Sequence, residues 1–245
     1  MSRFSVVLID QSPDAVPGWV PGALAEAGID FLHQPCATRE ELLAVAEACD
    51  ILWIYGGNRL ATAENLRALE QCRAVIRSGS GVDVIDVDTA TELGMIVDNT
   101  PHAHDDAVSD HAIALIFAVG RRIAQQDRAM RLDGWTQRNS MFPTWKLRQR
   151  TLGLVGFGNI PRFLVRKLVG FDLRVLAYDP FVDATELETL GVESVDFETL
   201  LSEADIVSLH TPLTVGTHHL IDEAALRHMQ PTAMLNNTSP GPVVD

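Results

Sequence analysis

The chain has 245 residues, enough to bury one large or two small cores, and 47% hydrophobic with 21% charged residues is a globular balance rather than a disordered or fibrous one. A formal net charge of −14 argues against nucleic acid as a partner, because phosphates would be repelled, and the densest basic run, RRIAQQDRAMR (121–131), reads as a solvated helix face. Three irregularly spaced cysteines (Cys36, Cys49, Cys72), no signal-peptide layout and no bilayer-length apolar run predict a soluble cytoplasmic protein with reduced thiols, no disulfide framework, no zinc site and no membrane partner.

Strand-like runs FSVVLI (4–9), DFLH (30–33), ILWIY (51–55), AVIRS (74–78) and MIVD (95–98) alternate with PGALAEAG, TREELLAVAEAC, TAENLRALEQC and DTATELG, whose apolar residues recur at helical spacing. Such alternation predicts parallel βαβ units. Thr38 followed by Glu41 predicts a capping box on the second helix. From His104 to Met130 one apolar-periodic stretch predicts a single long helix leading into a second α/β domain. The aperiodic DGWTQRNSMFPTWKL (133–147) then predicts a surface loop. Strands of the second domain are expected at 152–156, 173–178, 193–195, 205–209 and 233–236.

GFGNIP (156–161) follows the apolar run TLGLV and opens an amphipathic helix, the setting of a dinucleotide fingerprint. Gly156 would make the tight turn, Gly158 would let the backbone approach a pyrophosphate, and amides near Asn159 and Ile160 would hold the anion. Asp179, in VLAYDP, lies 21 positions after Gly158. There it would accept from a ribose 2′-OH and repel a 2′-phosphate, which favours NAD over NADP. The third glycine of the fingerprint is replaced by Pro161, so a distorted cofactor loop is expected. His218 and His219 read as surface residues, and His102, His104 and His111 as helix-entry residues rather than metal ligands.

With these motifs in place the chain resembles the D-isomer-specific 2-hydroxyacid dehydrogenase family over nearly its whole length. RSGSGVDVIDVDTATELGMIVDNTP (77–101) is similar to its glycine loop, and AVSDHAIALIFAVGRR to its interdomain helix, with Asp110 where a Glu is usual. TLGLVGFGNI, LAYDP, HTPLTVGTHHLI and LNNTSPGPVVD follow in the family's order. The resemblance implies an α/β protein with a flavodoxin-like substrate domain over 1–101 and an incomplete Rossmann NAD-binding domain over 102–245. It also implies NAD contacts at Phe157, Gly158, Asn159, Ile160, Asp179, His210, Thr211, Pro212, Thr217, Thr238 and Ser239, beside the turn-forming Gly156. Ser78, Gly79, Ser80 and Gly81 would offer amides to the carboxylate of a small 2-hydroxy or 2-keto acid.

The family's chemistry needs an Arg that holds the carboxylate and polarises the carbonyl, a His that moves the hydroxyl proton, and a Glu that orients the His. The Arg belongs immediately after Ser239, where this chain has Pro240. The Glu and His belong to segments after the point where the chain stops. The expectation is a dehydrogenase-like protein of weak or absent activity. A non-catalytic NAD-binding scaffold or sensor, or a decayed reading frame, is the alternative. A homodimer is expected as well, because DHAIALIFAV is apolar around much of its helix.

Overall fold

A computed structural model of the chain describes residues 4–12, 16–135 and 143–245. The chain divides into two compact units, Met1–Ala103 and His104–Asp245. No helix of the described residues is long and apolar enough to cross a membrane.

The first unit runs β1 (Phe4–Leu8), α1 (Val20–Glu26), β2 (Ile29–His33), α2 (Arg39–Leu43), β3 (Ile51–Ile54), α3 (Ala63–Ala68), β4 (Ala74–Arg77), α4 (Val87–Glu92) and β5 (Ile96–Asn99). Its strands are all parallel in the order β2-β1-β3-β4-β5, the flavodoxin-type doubly wound order. Short helices of this kind depend on their ends. Thr38 and Glu41 form the expected capping box on α2, while Thr62 and Asp86 cap α3 and α4. The helix expected over 38–49 is interrupted. Its α-helical part stops at Leu43, Val45 leaves helical geometry at φ −108°, and Ala46–Ala48 form a separate 3₁₀ turn. The core gathers Val7, Ile9, Leu52, Ile54, Leu66 and Val75 with all three cysteines, which are free thiols.

The second unit begins with α5 (Asp105–Gly120) and α6 (Ile123–Asp133). One continuous helix was expected from His104 to Met130; the chain instead breaks at Arg122, which is left-handed at φ 53°. The cause is tertiary. The Gly120 carbonyl leaves the helical ladder to accept from the Trp145 amide at 2.8 Å, and a Cβ added to buried Gly120 would lie 3.5 Å from Met234 Cε. Of the loop expected at 133–147, residues 136–142 lie outside the described residues.

The sheet that follows comprises β6 (Thr151–Val155), β7 (Arg174–Tyr178), β8 (Glu193–Ser194), β9 (Ile206–Leu209) and β10 (Met234–Asn237). Helices α7 (Asn159–Leu168), α8 (Ala184–Thr189), α9 (Phe197–Glu203) and α10 (Glu223–His228) alternate with these strands. All pairs are parallel in the order β10-β9-β6-β7-β8, which is the Rossmann order counted from β6. Strand β6 carries neighbours on both edges, and its burial is nearly complete. This is why it reads as an unbroken apolar run rather than an alternating one. Helix α7 buries Pro161, Leu164, Val165 and Leu168 along one face. Its Lys167 reaches α5, donating to Ser109 Oγ at 2.8 Å and to the Asp110 carboxylate at 2.6 Å. The Asp at 110, where the resemblance led us to expect a Glu, therefore has a partner within its shorter reach.

Gly153 is the tightest point of the layer between β6 and α9. A Cβ there would lie 2.7 Å from Leu200 Cδ2 and 2.9 Å from Ala204 Cβ. Gly153→Ala is accordingly expected to destabilise the protein by about 1–3 kcal/mol, the usual cost of overpacking. A urea series would show this as a lowered midpoint at unchanged slope.

Candidate functional site

The carboxyl ends of four adjacent strands, β7, β6, β9 and β10, bring the predicted cofactor residues together at the point where chain connectivity reverses, the usual place for ligands in open α/β sheets. Gly156 leaves β6 at φ 87°, donating its amide to the Tyr178 carbonyl at 2.9 Å. A side chain at this position would be 2.9 Å from the His210 carbonyl oxygen and 3.0 Å from the Thr211 methyl. At Gly158, by contrast, an added Cβ meets nothing within 4 Å. The space the backbone needs to approach a ligand is open. Gly158 caps α7 without any side-chain acceptor, and the first turn of α7 carries no acidic residue. Its N-terminus is therefore electrostatically suited to an anion.

Pro161 does not distort the loop as expected. Helix α7 starts at Asn159, so Ile160 is helical although it precedes a proline. Proline in the first turn gives up only an N–H that has no intrahelical partner, and its ring is buried with the apolar face of the helix. Phe157 also differs from expectation. Its side chain is fully buried in the core, beneath the Arg162 guanidinium at 5.1 Å, and so is out of a ligand's reach. Arg162 in turn pairs with Glu186 at 2.8 Å.

Asp179 follows β7, and both its oxygens are already engaged by backbone amides. Oδ2 accepts from Phe157 N at 2.7 Å and Oδ1 from Phe181 N at 2.9 Å. The aspartate thus ties the glycine loop to the end of the neighbouring strand.

Next to this lies a chain of polar side chains. Asn236 Nδ2 donates to Ser208 Oγ at 3.0 Å, and Ser208 Oγ is 2.8 Å from His210 Nε2. His210 Nδ1 is 3.3 Å from Thr238 Oγ1, which donates to the Leu209 carbonyl at 3.4 Å. With Asn236 donating at one end and Thr238 donating at the other, the consistent assignment is a neutral imidazole carrying its proton on Nδ1. Burial pushes the His210 pKa down to about 4, in keeping with that neutral ring. The hydroxyl of Thr217 is likewise used within the protein. It donates to the Pro212 carbonyl at 2.5 Å and accepts from Thr214 N at 2.8 Å, closing the loop after β9. Two hydroxyls remain without a partner among the described residues, Thr211 Oγ1 and Ser239 Oγ, both buried and both beside the glycine turn or the end of β10.

Buried orphan hydroxyls, an uncapped helix start and an open Gly158 fit a polyoxygenated anionic ligand. The comparisons with known proteins name it. Residues 113–245 match the D-isomer specific 2-hydroxyacid dehydrogenase, NAD binding domain. The chain belongs to this family. It is 41% identical over 187 residues to glyoxylate reductase of Thermococcus litoralis, covering 74% of this chain and 56% of the relative. It is 35% identical over 207 residues to D-3-phosphoglycerate dehydrogenase of Mycobacterium leprae, covering 84% of this chain and 39% of that one. The chain thus spans about half the length of these curated relatives or less. The D-lactate dehydrogenase of Aquifex aeolicus, solved with NAD and lactic acid, superposes with a TM-score of 0.85 at 26% identity over 98% of this chain and 70% of the other. Within the family fold, the second unit is the NAD-type cofactor domain.

In the first unit, the loop Ser78–Gly81 follows β4, but only half of it is free for a ligand. Ser78 N donates to the Ile54 carbonyl at 2.9 Å and Gly79 N to Thr100 Oγ1 at 2.7 Å. Ser78 Oγ accepts from the Trp53 indole at 2.8 Å. Among the described residues, the amides of Ser80 and Gly81 have no acceptor. Arg77 was missed in the sequence. An added Cβ on Gly79, whose φ is 150°, would lie 2.2 Å from the Arg77 guanidinium, and the buried Arg77 Nε has no hydrogen-bond partner. A lone arginine ending the apolar run AVIR was the one available signal. Pro240 presents neither charge nor N–H, and it precedes a 3₁₀ turn at Gly241–Val243 that is hydrogen-bonded to Ile221.

The His210 ring is neutral in the folded chain but protonates near 6.5 when unfolded. Its folded pKa is the lower one, so its contribution is whole above pH 6.5 and is lost as pH falls from there towards about 4. Urea midpoints measured across that window should fall with pH. His210→Gln, which has no titrating ring, should show a shallower fall.

Proposed function

We propose that this chain binds NAD(H) with preference over NADP(H), and that it serves the reduction of small 2-keto acids or the reverse oxidation of 2-hydroxy acids. The observation that carries this reading is the cluster formed by Gly156, Gly158, Asp179, Thr211 and Ser239 at the carboxyl ends of adjacent parallel strands. Amides at the start of α7, around Asn159 and Ile160, would hold the pyrophosphate. The Asp179 carboxylate would accept from ribose hydroxyls, using lone pairs left over from its two backbone bonds. Thr211 and Ser239 would give their orphan hydroxyls to the cofactor. When bound, the nicotinamide supplies the hydride. Toward the substrate carboxylate, the first unit offers the Ser80 and Gly81 amides and, beside them, the Arg77 guanidinium.

Pro240 favours a second reading, a cofactor-binding scaffold or sensor with little turnover. Loss of one charged donor to a developing oxyanion costs on the order of 10²–10³ in rate. Glyoxylate, pyruvate, hydroxypyruvate and phenylpyruvate are therefore expected to be reduced slowly by NADH with this polypeptide. Brisk turnover that Arg77→Met abolishes would instead assign the missing cation to Arg77.

Two binding outcomes accompany this reading. Calorimetric titration should give NADH at least about tenfold tighter than NADPH, or about 1.4 kcal/mol. Asp179→Ala should erase that difference, whereas equal affinities in the unmodified protein would refute the role given to Asp179. Val119, Ile123, Met130, Leu132 and Trp135, on and around α6, are all exposed, Trp135 by 90%. A second copy of the chain would cover them, and light scattering at micromolar concentration is expected to report a dimer.

A further inference from the structure

His210 ties together the ends of β6, β9 and β10. Its amide donates at 2.8 Å to the carbonyl of Val155, the last residue of β6 before the glycine turn. Its ring reaches the end of β10, where Nδ1 lies 3.3 Å from Thr238 Oγ1. Nε2 turns back to Ser208 Oγ of β9 at 2.8 Å, and fully buried Ser208 is held in turn by Asn236 of β10 at 3.0 Å. With the ring proton on Nδ1, the donors run one way, from Asn236 through Ser208 and His210 to Thr238 and the Leu209 carbonyl. Both ring nitrogens are thus occupied within the protein, and neither is left for a cofactor. The residues next in sequence differ. Thr211 and Ser239 directly follow His210 and Thr238, and their buried hydroxyls have no partner among the described residues. The pair that bond each other therefore carry, one position on, a pair of hydroxyls that bond nothing.

We propose that His210 is a positioning residue for the cofactor, whose ring staples the end of β9 to the end of β10 and so sets the spacing of the Thr211 and Ser239 hydroxyls. The inference rests on the dinucleotide reading of this site given above. A buried hydroxyl without a partner carries a desolvation penalty that a ligand relieves by bonding to it. A hydroxyl on a loose loop end must also be ordered when the ligand arrives, whereas one whose neighbour is already bonded costs little further ordering. A neutral imidazole suits this task, because it is a rigid spacer with one donor and one acceptor at fixed separation. A glutamine amide offers the same pair of functions on a longer, softer arm, and leucine offers neither. The ring acts through Thr238 and the strand ends and does not itself touch the ligand.

The test is calorimetric titration of the full chain with NADH and NADPH, beside the thermal midpoint of each variant. His210→Leu should weaken NADH by about tenfold, the upper end of what one hydrogen bond contributes. It should weaken NADPH by the same factor, since the 2′-position is read elsewhere, at Asp179. His210→Gln should recover most of the affinity. Ser208→Ala removes a fully buried hydroxyl that no ligand reaches, so any effect on affinity passes through the ring. It should weaken NADH too, and Ser208→Ala combined with His210→Leu should bind no more weakly than His210→Leu alone. NADH affinity left unchanged by His210→Leu, or a glutamine variant as weak as the leucine one, would overturn this inference alone. Absence of NADH binding by the unmodified chain would overturn the dinucleotide reading, and the inference with it. Where His210→Leu does not fold, Ser208→Ala decides, and unchanged NADH affinity in that variant overturns the proposal.

Discussion

At Gly156 the chain leaves β6 with a φ of 87°, and any Cβ there would sit 2.9 Å from the carbonyl oxygen of His210. This closeness of β6 to β9 constrains everything around it. The turn can pass over the end of β9 only if residue 156 has no side chain, and only then does its amide meet the Tyr178 carbonyl on the other flank. From that anchor α7 begins three residues later, with no side-chain cap from Gly158. The end of β7 is held by the same turn, through Phe157 and Asp179. The placement of the glycine turn, the start of α7 and the end of β7 thus follows from one backbone contact.

The neighbouring polar chain shows how that end of the sheet is kept in one arrangement. Asn236, Ser208, His210 and Thr238 run from β10 to β9 and back, and Asn236 also lies 3.5 Å from the Ala112 carbonyl of α5. Buried networks of this kind hold a single geometry when every member is satisfied. The neutral His210 supplies one donor and one acceptor, which a protonated ring could not.

The strands could be read from the sequence because parallel strands buried on both faces are plain apolar runs, as in TLGLV and ILWIY. The glycine loop and Asp179 could be read because their spacing is set by local turn and strand geometry. What escaped the sequence was tertiary. Helix periodicity runs straight through Gly120, and only the Trp145 amide, 25 positions on, shows why the helix must end there. Ser78 and Gly79 looked like ligand donors until Ile54 and Thr100 were seen to occupy them. Phe157 sits in a fingerprint otherwise exposed to ligand, yet the fold uses it as core. Pro161 looked disruptive because the sequence does not reveal that its ring is buried on the packed face of α7.

Asp179 has a consequence for how such a protein can change its cofactor. Its carboxylate holds the Phe157 and Phe181 amides before any ribose arrives, so the acceptor is preorganised and costs little further ordering on binding. Under the role proposed for it, the same group is both a selector and a strut. Exchanging it for a small neutral residue to admit a 2′-phosphate would release two backbone donors and loosen the glycine turn. On the proposed reading, a drift toward phosphorylated cofactors would have to find another acceptor for the Phe157 amide first, which would make the preference a kind of evolutionary ratchet.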